Sequence, residues 1–160
     1  MAEANKPAGI SELLLPRTIN LSIKATTVSG VLRELAELVP DLPGTPNFET
    51  FCKALQEREE LQTTAVGEGV AFPHARATLG LTRKPWIIFG RHPGGIPFKA
   101  VDKQPVRLLF LLAPTSTTEH LFLLSRVSRL MRNPAMRTSL LKAGDPQEII
   151  HLIRSAEQQM

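Results

Sequence analysis

The sequence has no tyrosine, one tryptophan and one cysteine. A lone Cys52 rules out an internal disulfide and any cysteine-pair metal site. No stretch is long and apolar enough to span a membrane. The longest apolar run, Leu108 to Ala113, falls far short of the roughly 20 residues a spanning helix needs. The first residues carry an acidic group and no apolar core, so no secretory leader is expected and cytoplasm is the default. The formal charge of +4 is modest, and its basic residues are scattered without interleaved aromatics, so nucleic-acid binding is not expected. No Walker loop, dinucleotide fingerprint, nucleophile elbow or His-x-x-x-His pair is present, which removes the familiar routes to ATP, NAD, acyl transfer and zinc.

What is present is enough chain, 160 residues at 42% hydrophobic content, for one domain with a sizeable core. Residues 1–12 read as a flexible tail and 13–160 as a single domain. Ile19, Leu21 and Ile23 alternate with polar neighbours as a half-buried strand. Val28, Val31, Leu32, Leu35, Leu38 and Val39 make one helical stripe ended by Pro40. Asn47 is placed to cap a second helix whose inner face is Phe48, Phe51, Cys52 and Leu55; Cys52 reads as core there. The following Gln56–Glu60 run reads as a solvated face, apart from Arg58. Trp86–Gly90 reads as a buried strand, Arg91–Gly95 as a turn with a solvated His92, and Ile96–Phe98 as a short edge strand. Val106–Ala113 is the strongest strand and belongs mid-sheet.

Thr117 or Thr118 can cap a helix whose buried face is Leu121, Leu124, Val127, Leu130 and Met131, with Leu123 adding to it. Arg126, Arg129 and Arg132 form a basic stripe on it, either solvated or a patch for an acidic partner. Asn133-Pro134 opens a short helix. Asp145-Pro146-Gln147-Glu148 is a strong start for the last one. The fold class is α/β: a mixed sheet of four or five strands flanked by about five helices.

The chain turns on Gly67-Glu68-Gly69-Val70-Ala71-Phe72-Pro73-His74-Ala75-Arg76. Gly67 and Gly69 allow a tight turn, Val70–Phe72 is a short buried strand, and Pro73 stiffens its end. His74 leaves that end on a backbone with little freedom. Pro-His alone also describes an ordinary strand end. With metal and hydrolase patterns absent, a histidine that itself accepts a group remains, and a phosphoryl group suits a neutral imidazole.

This stretch resembles the active-site signature of the enzyme IIA domains of the bacterial phosphotransferase system, in the mannitol/fructose class that includes the nitrogen-regulatory branch. Phe72 stands where an aliphatic residue is more usual, and Arg76 where many members have a small or neutral one. Leu55-Gln56-Glu57-Arg58-Glu59, with Arg58 sixteen residues before His74, resembles the family's helix end with its active-site arginine. Leu109–Pro114 followed by Glu119-His120-Leu121, with His120 forty-six residues after His74, resembles its strand and second active-site histidine.

The resemblance runs from about Leu13 to the C-terminus. It implies a mannitol-type IIA fold and a phosphorylated His74. Arg58 would stabilise the phosphate, and His120 would donate a hydrogen bond or orient His74. Gly67, Gly69, Pro73 and Arg76 would shape the site or hold phosphate. It implies no metal and no cofactor. The partners it implies are an HPr-like phosphocarrier and either a IIB domain or a regulatory target. It leaves open whether the phosphate goes on to a sugar or serves as a signal.

Overall fold

The computed structural model describes residues 9–75 and 81–160. A 3-10 turn, Pro16–Thr18, leads into β1 (Ile19–Asn20) and then α1 (Val28–Ala36), α2 (Pro46–Leu61), β2 (Ala65–Gly67), β3 (Val70–Ala71), β4 (Trp86–Ile96), β5 (Val106–Ala113), α3 (Thr117–Met131), α4 (Pro134–Lys142) and α5 (Pro146–Gln158). The sheet has five strands in the order β1-β4-β5-β3-β2. β1 is parallel to β4 and β3 to β5; the β4–β5 and β2–β3 pairs are antiparallel. The mixed α/β architecture is the expected one.

Period-two alternation divides the core into two layers. Val70, Phe72, Ile87, Phe89, Leu108, Phe110 and Leu112 face α3, α4 and α5. Ala71, Ile88, Leu109 and Leu111 face α1 and α2. β5 is therefore apolar on both sides, as a central strand must be. The two faces meet the helices closely. At Gly90 a Cβ would lie 2.5 Å from both Ile23 Cδ1 and Leu35 Cδ2, so α1 rests on β4 where there is no side chain.

Several local expectations are corrected. Residues Arg91–Gly95 do not end β4; the strand continues to Ile96 through an irregularity in its pairing with β5, and no separate edge strand forms over Ile96–Phe98. Regular β1 covers two residues only, although Ile23 N–H still donates to Arg91 O at 3.0 Å. The second helix is preceded by Thr45, with Pro46 at its first position, so Asn47 lies inside it. Ser116 rather than Thr117 or Thr118 caps α3, accepting Glu119 N–H at 3.1 Å. Leu121 is 61% exposed and off the buried face, which Leu123, Val127, Leu130 and Met131 form as read. The Asp145 cap forms as read, accepting Glu148 N–H at 2.8 Å.

Three charged side chains act as internal ties. Arg91 donates to Leu21 O, Leu140 O and Ala143 O at 3.2, 3.1 and 2.7 Å, so a cation closes the carbonyl end of α4. Glu34 accepts from Lys24 N–H, Ala25 N–H and Asn20 Nδ2. Glu157 accepts from Ile10 N–H and Ser11 N–H, both at 2.8 Å, and from Arg126 Nε at 3.2 Å. Arg126 thus leaves the basic stripe, where Arg129 and Arg132 stay exposed. Of the expected 1–12 tail, residues 1–8 lie outside the described residues, and Ile10 is buried. His92 is no free loop residue either: its Nε2 meets Ala25 O at 2.8 Å.

Candidate functional site

The site forms where β3 and β5 finish. Val70 pairs with Leu108 and Ala71 with Leu109, and the same parallel register reappears as a bridge between His74 and Leu112. Pro73 has no N–H to give, but its carbonyl accepts Leu112 N–H at 3.0 Å, so the ladder passes through it. His74 shares the parity of Val70 and Phe72, which puts its side chain on the α3 side of the sheet. There it meets His120 from the first turn of α3, with ring centroids 4.5 Å apart and planes tilted by 44°. Both rings are half-buried.

The hydrogen bonds assign the His74 tautomer. Nδ1 lies 2.9 Å from Phe72 O. A carbonyl only accepts, so Nδ1 carries the proton and Nε2 keeps its lone pair. Burial lowers the His74 pKa below the usual histidine value; the bond to Phe72 opposes that shift, and the positive charge of Arg58 adds to it. His120 is lowered by burial first, then by His74 and by Arg58. Two neutral imidazoles near a fixed cation are the resting state at neutral pH. His120 Nδ1 is buried and finds no hydrogen-bond partner among the described residues. A buried polar atom in that condition is ready to receive one.

Arg58 lies in the last turn of α2, half-buried, with Nη1 donating to Gln62 O at 2.7 Å. Its charge is felt by both histidines. The structure thus gathers His74, His120, Pro73 and the field of Arg58. Gly67 and Gly69 are elsewhere. They flank Glu68 in the β2–β3 hairpin, with φ of +94°, +56° and +76° for the three residues in order. Five residues of extended chain, about 16 Å, separate Gly69 from His74. Their conformational freedom builds the hairpin that aims β3, and Asp102 holds that hairpin by accepting Glu68 N–H at 2.8 Å. Arg76 lies outside the described residues.

Glu59 was not expected to matter. Its carboxylate accepts both the N–H and the hydroxyl of Thr64, each at 2.6 Å. Nothing in a run of alternating charge marks one glutamate as the one that turns inward. Cys52 is half-buried with its thiol pKa raised, chiefly by burial, which suits its reading as core. Among the described residues no group of three or more His, Cys, Asp or Glu is placed to hold a metal ion, and no helix is long and apolar enough to cross a membrane.

Comparison with known proteins points the same way. The family model described as "Phosphoenolpyruvate-dependent sugar phosphotransferase system, EIIA 2" matches residues 12–156. The chain is 36% identical to a nitrogen regulatory protein of Bradyrhizobium diazoefficiens, over 90% of this chain and 94% of that one. It is 33% identical to the PTS system fructose-specific EIIABC component of Bacillus subtilis, over 90% of this chain but only 23% of that protein's length. Among solved structures, nitrogen regulatory protein IIA-Ntr from Neisseria meningitidis superposes with a TM-score of 0.81 at 27% identity, covering 90% of this chain and 98% of that one. The mannitol IIA of Escherichia coli shares the fold, with a TM-score of 0.75 at 22% identity over 88% and 98% of the two chains. With the family model spanning nearly the whole domain and the His74 stretch inside it, this chain belongs to the type 2 EIIA family of the phosphoenolpyruvate-dependent sugar phosphotransferase system.

Proposed function

We propose that this chain is a phosphohistidine carrier that receives a phosphoryl group on His74 Nε2 from an HPr-type protein and gives it to a IIB component. The observation that carries this reading is the His74 Nδ1–Phe72 O bond of 2.9 Å, which leaves Nε2 as a free, oriented lone pair beside His120. In the forward step Nε2 bonds to phosphorus as the donor's N–P bond breaks, and the donor imidazole leaves with that electron pair. The reverse exchange passes the group on. Little covalent work is asked of the protein; position and charge do the rest. Arg58 offers its fork of N–H donors to the equatorial oxygens. His120 supplies a further donor, and a phosphate oxygen would satisfy the Nδ1 that has no partner among the described residues. The lowered His74 pKa keeps the nucleophile unprotonated at neutral pH.

A second reading is that the phosphoryl group is a signal, and that the chain controls partner proteins through its phosphorylation state without passing phosphate to sugar. Relatives of both kinds are similar over nearly their whole length: a nitrogen regulatory protein at 36% identity, 94% of it covered, and a fructose-specific EIIA component at 34%, 91% of it covered.

The test is to mix the protein with phosphoenolpyruvate, enzyme I and an HPr-type carrier and to measure intact mass. One added acid-labile phosphoryl group, missing in His74→Ala, is the expected result. A folded protein that takes up no phosphate from any of several carriers overturns the transfer reading.

A further inference from the structure

We propose that Glu59 is a positioning residue for His74: its carboxylate, acting through Thr64 and the Phe72 peptide, fixes which imidazole nitrogen is protonated and where the other one points. This rests on the reading of His74 Nε2 as the phosphoryl acceptor, but the placement it describes can be measured without any transfer.

The connection is continuous. Glu59 Oε2 accepts Thr64 N–H and Oε1 accepts the Thr64 hydroxyl, both at 2.6 Å. Thr64 is 6% exposed, so its two donors have no water to fall back on. Its carbonyl accepts Phe72 N–H at 3.1 Å. The Phe72 carbonyl then accepts from His74 Nδ1 at 2.9 Å.

The weak point in that chain is the Phe72–Pro73 peptide. It is a tertiary amide with no N–H, so nothing on its own nitrogen can pin it. Its carbonyl direction is set from the two flanks. On one side Pro73 O is held by Leu112 N–H at 3.0 Å, from the central strand β5, where Leu112 is fully buried. On the other side Phe72 N–H is held by Thr64 O, from the short connection between α2 and the edge strand β2. Thr63 is tied separately, its hydroxyl donating to Phe98 O at 2.5 Å. What keeps Thr64 itself in register is Glu59. The same bonds lock the last turn of α2 to this strand pair. Arg58 precedes Glu59 on that turn, so Glu59 also sets the spacing between the cation and the nucleophile.

A solvated or merely capping glutamate would not reach the His74 ring, and that difference is readable. In the unphosphorylated full-length protein labelled with 15N-histidine, the wild-type His74 should show one tautomer, protonated at Nδ1. Glu59→Ala should give a mixture of tautomers at His74. It should also slow phosphorylation by about tenfold or more, since misplacement of 1 Å can cost up to ~10²-fold. Glu59→Gln keeps an amide oxygen for Thr64 N–H and should hold the wild-type tautomer, with a rate within about threefold. Thr64→Val removes one of the two bonds and should fall between them; it decides the matter if Glu59→Ala does not fold by circular dichroism. Unchanged His74 tautomer and rate in folded Glu59→Ala, or in Thr64→Val where that variant has to decide, overturn the proposal. If the wild type accepts no phosphoryl group, the transfer reading fails, while the tautomer comparison still decides the role of Glu59.

Discussion

The rings of His74 and His120 sit 4.5 Å apart, one from the end of a strand and the other from the first turn of a helix. Neither ring can gain a proton without pushing against Arg58, and both are pulled from water. Two such histidines titrate as a pair, so their protonation is best followed by NMR on both rings together.

The pH dependence has a definite sign. Both folded pKa values lie below the ordinary histidine value of about 6.5. Above that pH both rings are neutral in the folded and the unfolded chain, and they add no slope to stability. As pH falls below it, the unfolded chain binds protons that the folded one resists, and stability declines until the folded pKa values are passed. Phosphoryl acceptance should accordingly stay flat from pH 8 to below 6.5 and drop only as His74 protonates. A fall in rate centred at or above pH 6.5 would contradict this placement.

Replacing Arg58 separates chemistry from folding. Its one visible hydrogen bond, to Gln62 O, is solvent-exposed, so Arg58→Ala should leave the melting temperature nearly unchanged. Its transfer rate should fall by about 10²–10³-fold, the usual effect of deleting a donor aimed at developing charge. Arg58→Lys should recover little, because an ammonium lacks the planar fork. Rapid-quench measurement of phosphoryl transfer checks both.

The Glu157 cluster is a stability device, tying Ile10, Ser11 and Arg126 of α3 to α5. The carboxylate is 8% exposed; burial would raise its pKa, but the bonds from Ser11, Ile10 and Arg126 together pull it below the usual range. Its contribution is therefore present above the unfolded carboxylate pKa and is lost as pH falls through the folded one. Glu157→Ala should destabilise by about 2–4 kcal/mol in urea unfolding, because two backbone donors and a guanidinium lose their acceptor. Phosphoryl transfer by the folded fraction should not change.

Gly90 tests the packing of α1 on the sheet. An alanine methyl would stand 2.5 Å from two aliphatic side-chain ends, so Gly90→Ala should cost about 1–3 kcal/mol by overpacking. Gly144→Ala makes the control, since nothing lies within 4 Å of its added Cβ. That variant should stay within about 0.5 kcal/mol of wild type.

Much of this was legible in the residues. The parity of Val70, Phe72 and His74 already places the histidine on one face, and the apolar run of β5 already demands two covered faces. Pro146 and Asp145 announce α5 as it is found. What could not be read were choices made by tertiary contact. Pro93, Gly94 and Gly95 look like a turn, yet the antiparallel neighbour β5 carries β4 through them. Leu121 fits the apolar count of α3 but falls on its outer side. Arg91 and Glu59 look like surface charge, and each becomes internal only because a helix end or a buried threonine is brought to it.

The tie at Glu157 has a topological meaning as well. Ile10 and Ser11 donate to a side chain that stands three residues before the end of the chain. Stretches far apart in sequence are thus held at one seam, and a cut at an exposed loop with the two sides joined across that seam would leave the strand end that carries His74 in place.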